Sequence, residues 1–135
     1  MENRMLQLVS FTVGEEVFAA PIMKIQEIIK VTEITKIPRS PGFVRGVINL
    51  RGRIIPVIDL RERFGLPVIE TVSANRRIVV AEIGDIVAGL EVDSVAEVIR
   101  SEASEMERTT AAVTSVSQKF IQGILKQSGR MLIVL

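Results

Sequence analysis

The sequence predicts an all-β protein of about ten short strands arranged as two small barrels, with only short helical turns between strands. Three observations carry this. β-prone apolar runs of strand length recur along the chain, turns rich in Gly and Pro separate them, and the second half resembles the first in its strand-turn-strand grammar. The pattern favours small barrels over a parallel α/β sheet.

The chain opens with a β-prone run from Leu6 to Val13, a turn signal at Gly14-Glu15-Glu16, and a second run through Val17, Phe18 and Ala19, which predicts a hairpin. After Pro21 two patterns compete. Ile22, Ile25 and Ile29 have helical spacing, whereas Ile25, Ile28, Ile29 and Val31 are β-branched, so a short helical turn followed by a strand is expected. Pro38 and Pro41-Gly42 then interrupt regular structure. In the stretch Gly42 to Gly65, Val47, Ile48 and Leu50 form one run, Arg51-Gly52-Arg53 the turn, and Ile54, Ile55, Val57 and Ile58 the returning run. Asp59 and Glu62 make a capping pair for a helical turn ending near Gly65. Arg51, Arg53 and Arg61 bracket this hairpin and are expected to face water or a partner, since an unpaired guanidinium is too costly to bury.

Gly65-Leu66-Pro67 marks a midpoint boundary, which divides one domain, residues 1–135, into approximate subdomains 1–66 and 67–135 with terminal strands open to exchange. The second half starts with Arg77 to Ile83, turns at Gly84-Asp85 and continues from Ile86 to Val92. Between Asp93 and Arg100, Ser94 and Glu97 suit a capping box, but Val92, Val95, Val98 and Ile99 favour extended structure, and a strand is expected. Ser101 to Ser117 reads as a mobile connection with one helical turn. Phe120 to Leu125 and Met131 to Leu135 supply the last two strands, punctuated by Gly123 and Gly129.

Composition narrows the chemistry. The 135 residues fit one domain, and 17 basic against 16 acidic residues leave a net charge of +1, so no global field draws the molecule to nucleic acid or an anionic membrane. Cysteine and histidine are both absent, which removes disulfides, thiolate nucleophiles, Ser-His triads and imidazole metal ligands together. No phosphate-loop, dinucleotide or metal-ligand motif is present, so neither cofactor nor metal is expected and the chain reads as a non-enzyme. The start, Met1-Glu2-Asn3-Arg4, lacks a secretory pattern, and a cytoplasmic protein without membrane insertion is expected. Hydrophobic residues make up 47% of the sequence, enough that some should remain outside as an interaction surface.

With these segments in order, the sequence resembles the CheW family of bacterial chemotaxis coupling proteins. The resemblance rests on Phe11-Thr12-Val13-Gly14-Glu15-Glu16, Lys24-Ile25-Gln26-Glu27-Ile28, Gly46-Val47-Ile48-Asn49-Leu50-Arg51-Gly52 and Ile55-Pro56-Val57-Ile58-Asp59-Leu60-Arg61. It continues through Gly89-Leu90-Glu91-Val92-Asp93 and the closing Gly129-Arg130-Met131-Leu132-Ile133-Val134. It implies two intertwined, SH3-like, five-stranded barrels sharing a core. It also implies an adaptor that links the cytoplasmic tips of chemoreceptors (methyl-accepting chemotaxis proteins) to the regulatory domain of a chemotaxis histidine kinase, at membrane-associated receptor arrays. The family commonly continues into a C-terminal helix where this sequence ends at Leu135, so either a shortened form or bare apolar surface is expected.

The resemblance also assigns residues. Ile25, Glu27 and Arg51 match receptor-contact positions; pattern alone favours Ile25 as a barrel-core residue and Glu27 as a solvated acid, with Arg51 a solubilising turn residue, and the resemblance reverses that preference. Ile28, Val44 and Ile48 are candidates for an apolar groove that receives a receptor helix, and burial separates groove from core. The kinase contact is expected at a barrel end, with Ile86, Val87 and Val92 as its candidates. Gly46 and Gly52 are read first as meeting backbone geometry and second as admitting a partner backbone. Asp59 with Glu62 is read as a cap rather than a catalytic pair. Three other readings compete: a regulatory CheW-like barrel of another chemotaxis protein, a nucleic-acid-binding barrel using Arg45, Arg51, Arg53, Arg61 and Arg63, and a carboxylate-only hydrolase. Interspersed acids and the absence of Tyr and Trp weigh against nucleic acid.

Overall fold

A computed structural model of the chain describes residues 5–67, 74–107, 121–127 and 129–135. Among these residues ten strands form: β1 (Met5–Val13), β2 (Glu16–Pro21), β3 (Ile25–Lys30), β4 (Val44–Leu50), β5 (Arg53–Asp59), β6 (Arg77–Ile83), β7 (Ile86–Val92), β8 (Ser94–Glu102), β9 (Gly123–Gln127) and β10 (Arg130–Val134). The residues after Pro21 resolve as the sequence predicts, a 3-10 turn over Ile22–Lys24 leading straight into β3. β8 is a strand because Ser94 is engaged elsewhere, its hydroxyl 2.7 Å from that of Thr12, so no capping box forms there. Asp59 does cap the single turn α1 (Leu60–Arg63), accepting from the backbone N–H of Arg61 at 2.9 Å and of Glu62 at 3.4 Å. Glu62 does not return the bond, because the Asp59 N–H donates to the Phe43 carbonyl at 2.8 Å. Of the expected mobile connection, residues 101–107 finish β8 and make a 3-10 turn over Ala103–Glu105; residues 108–117, like Phe120, lie outside the described residues.

The strands form two five-stranded sheets with orders β8-β1-β2-β10-β9 and β3-β6-β7-β5-β4. Each sheet curls until its outer strands meet. A bridge between Thr35 and Val47 joins the chain just past β3 to β4, and a bridge between Glu107 and Ile124 joins the chain past β8 to β9. Two barrels result, called barrel 1 (β1, β2, β8, β9, β10) and barrel 2 (β3 to β7).

The barrels do not divide the chain at residue 66. β3, β4 and β5 from the first half complete the barrel of β6 and β7, while β8, β9 and β10 complete that of β1 and β2. Each half is therefore the same five-strand unit with its last three strands exchanged. The sequence carries the repeat: Ile25-Gln26-Glu27-Ile28-Ile29-Lys30 corresponds to Val95-Ala96-Glu97-Val98-Ile99-Arg100, Gly14 to Gly84, Gly46 to Gly123 and Gly52-Arg53 to Gly129-Arg130. Registers agree across it. Ile25 pairs with Ala81 as Val95 pairs with Phe11, each beside a bulge, and the parallel pair Val57 with Gly89 matches Val134 with Ala19.

At both closure seams the backbones touch too closely for any side chain. A Cβ on Gly46 would sit 2.1 Å from the Thr35 carbonyl oxygen, and one on Gly123 would sit 2.6 Å from that of Glu107. Glycine is required there so that the barrel can shut.

Packing follows the same symmetry. Leu8, Leu125, Leu132 and Val134 fill barrel 1, and their counterparts Ile78, Ile48, Ile55 and Val57 fill barrel 2. Between the barrels lies a shared core in which Phe11, Phe18 and Ala20 from barrel 1 meet Ala81, Ala88 and Leu90 from barrel 2. Each large residue on one side has a small counterpart on the other, which lets two copies of one surface interdigitate at interior density. A polar strap crosses the same junction. Asp93, between β7 and β8, accepts from Arg61 at 2.5 Å and from the Gly14 N–H at 2.7 Å, while Arg61 also donates to the Pro67 carbonyl at 2.8 Å. Arg61 therefore departs from the expectation of an outward arginine. Its side chain is only 13% exposed, because Asp93 neutralises it in place.

Candidate protein-docking surfaces

The β4–β5 hairpin turns on Arg51 and Gly52, both left-handed, with φ of 53° and 83°, a two-residue turn whose twist matches the flanking strands. The side-chain carbonyl of Asn49 accepts from the Gly52 N–H at 2.8 Å and holds the tip. Arg51 reaches β3, where its Nη2 lies 2.6 Å from Oε1 of Glu27. Arg53 donates to Oε1 of Gln26 at 3.0 Å. Segments far apart in sequence thus join in one polar patch of Gln26, Glu27, Arg51 and Arg53. Arg51 is 76% exposed, so its charge stays available to a partner while the pair contributes little to stability.

The remaining receptor candidates separate. Ile25 is half-buried against the shared core, and Val44 is half-buried at the start of β4. Ile28 is exposed and lies with Arg77, Ser94 and Val95 along the seam between barrels. A bulge after Ile25 makes Ile25 and Glu27 pair with the adjacent residues Ala81 and Val80, so they face opposite sides of β3, and Ile28, opposite Val79, lies on the side of Ile25. Ile48 lines no groove. At 2% exposure it packs inside barrel 2 against Ile55, Val57, Ile78 and Val80, because the outward side of β4 falls to other residues. The kinase candidates also disperse. Ile86 is exposed at the β6–β7 turn and Val87 half-buried, but Val92 is core, packed into the shared interior. Ile86 and Val92 sit at opposite ends of β7, about 20 Å apart by strand geometry. They do not share a surface.

Two features escaped the sequence reading. The first is an apolar groove of about 340 Å³ on barrel 1, lined by Met5, Leu6, Gln7, Pro21, Ile22, Met23 and Arg100. Met23, on the 3-10 turn, is 93% exposed, and Met5 and Ile22 are exposed beside it. The signal was present as Ile22 and Met23 directly after Pro21, but the helix-or-strand ambiguity there concealed it. The second is Glu91, a buried acid one residue from the end of the apolar β7, which forms ion pairs with Arg76 and, at 3.7 Å, with Arg45. A lone glutamate within such a run was its signal.

The arginines that could have met phosphates are engaged within the chain. Arg45, Arg51 and Arg61 form ion pairs with Glu91, Glu27 and Asp93, Arg53 bonds Gln26, and Arg63 lies over the Phe43 ring at 5.0 Å. Among the described residues no three acids converge as metal ligands, and no helix is long and apolar enough to cross a membrane.

Comparison with known proteins matches residues 7–135 to the CheW-like domain family. The chain is 36% identical over 132 residues to the chemotaxis protein CheW of Thermotoga maritima, covering 96% of this chain and 83% of that one. It is 34% identical over 133 residues to chemotaxis protein CheW of Helicobacter pylori, covering 98% and 79% respectively. The crystal structure of the scaffolding protein TtCheW from Thermoanaerobacter tengcongensis superposes with a TM-score of 0.86 at 40% identity, covering 97% of this chain and 88% of that one.

Proposed function

The chain belongs to the CheW-like domain family, and on that premise we propose that it is a non-enzymatic adaptor coupling chemoreceptor cytoplasmic tips to the regulatory domain of a chemotaxis histidine kinase. What supports it is the presence of two chemically different exposed surfaces on one pair of barrels joined by a shared core. The charged patch of Gln26, Glu27, Arg51 and Arg53 lies on barrel 2, and the apolar groove of Met5, Ile22 and Met23 lies on barrel 1. The charged patch is the receptor surface. Arg51 offers a fork of donors to a carboxylate or a helix-terminal carbonyl. The apolar groove is the kinase surface, because an exposed, flexible methionine rim suits association with an apolar barrel end. Ile86 at the β6–β7 turn is the alternative anchor.

Titrating the kinase regulatory domain against variants tests the assignment. Met23→Asp weakens kinase binding by about tenfold or more, because the new carboxylate has to be desolvated without a partner, and leaves receptor-fragment binding unchanged. If Ile86→Asp causes that loss and Met23→Asp does not, the kinase surface lies at the β6–β7 turn instead.

A further inference from the structure

The chain has no Cys, His, Trp or Tyr, so its five methionine thioethers are the side chains it offers to a two-electron oxidant. Those thioethers are unequal. Met23 is 93% exposed, and Met5, 58% exposed, lines the same groove with Pro21 and Ile22. Met131 matches Met5 in exposure at 59% but lies on β10, away from the groove, and Met106 packs against the interior of barrel 1. Met1 lies outside the described residues.

We propose that Met23 is a peroxide-sensitive modification site, and that its conversion to the sulfoxide closes the groove to the kinase regulatory domain. The second half of this rests on reading the groove as the kinase surface. In the reaction the thioether sulfur attacks one oxygen of hydrogen peroxide, the S–O bond forms as the O–O bond breaks, and the departing hydroxide takes the proton from the sulfur-bound hydroxyl, leaving the sulfoxide and water. Sulfur is oxidised by two electrons and the peroxide is reduced by two. An apolar, flexible rim residue becomes a polar one whose oxygen must be desolvated on docking against an apolar surface. The fold is untouched, because the 3-10 turn that carries Met23 buries none of its residues. Methionine sulfoxide reductases reverse the step, which makes it a switch rather than damage.

The experiment treats the full chain with graded hydrogen peroxide, reads each methionine by peptide mass, and measures affinity for the kinase regulatory domain in parallel. Sulfoxide accumulates at Met23 before Met131 and Met106, and affinity falls about tenfold in step with it. Peroxide leaves the affinity of Met23→Leu where its own untreated sample stood, Met131→Leu gives no protection, and reductase restores the wild-type chain. Equal oxidation of Met131 and Met23, or full sulfoxide at Met23 with undiminished binding, overturns the proposal. If Met23 oxidises first but the untreated chain never binds the kinase domain, the modification site stands and the adaptor reading fails.

Discussion

Glu27→Lys abolishes capture of a receptor cytoplasmic fragment in a pull-down while the kinase regulatory domain is still captured. Glu27 holds Arg51 at 2.6 Å, so the substitution removes a partner from the guanidinium and places a second cation against it. Arg51 swings away from β3, and a patch that presented one acid and two arginines becomes uniformly basic. Reversing a charge at a docking surface costs about 2–5 kcal/mol of binding through repulsion and unpaired groups. The fold is spared, because an exposed pair of this kind is worth at most about 1 kcal/mol to stability. An unchanged melting curve therefore accompanies the loss. Equal loss of both partners from a folded variant would reject separate surfaces.

The largest effect on stability is expected at the barrel 2 seam. Gly46→Ala destabilises the protein by about 3–5 kcal/mol, combining a strained backbone conformation with forced separation of the closing strands. Gly46 has φ of 146°, and the new methyl would lie 2.1 Å from the Thr35 oxygen, which has to move and take the Thr35–Val47 bridge with it. Gly52→Ala is the internal control. Its φ is also positive, at 83°, but no atom lies within 4 Å of the added carbon, so strain alone costs about 1 kcal/mol. Urea denaturation separates the two. Similar midpoints for both variants would mean that the seam relaxes and that closure does not depend on Gly46.

Most elements were legible in the sequence because their signals are local. The turns at Gly14, Gly52 and Gly84, the cap at Asp59 and the 3-10 turn after Pro21 each follow from a few neighbouring residues. The exchange of strand blocks was not legible, because a strand's own pattern does not say which sheet it joins. The repeat that reveals it, with Gly46 recurring as Gly123 and Glu27 as Glu97, was read only as a likeness of grammar. Burial of Ile48 and Val92 was missed because both barrels share a core, so residues on either face of a strand can be interior. Arg61 was expected in water because its counter-ion comes from Asp93, far along the chain. Of the site, Glu27 and Arg51 were found as separate residues and the ion pair between them was not, since closing barrel 2 is what brings them together.

In the proposed adaptor one molecule holds a receptor tip and a kinase regulatory domain at the same time, through different surfaces. Sedimentation velocity on the chain mixed with both partners tests this most directly. A species heavier than either binary complex is expected, containing all three proteins and formed by Met131→Leu as readily as by the wild type. Two binary complexes that displace each other, with no heavier species at any ratio, would contradict it.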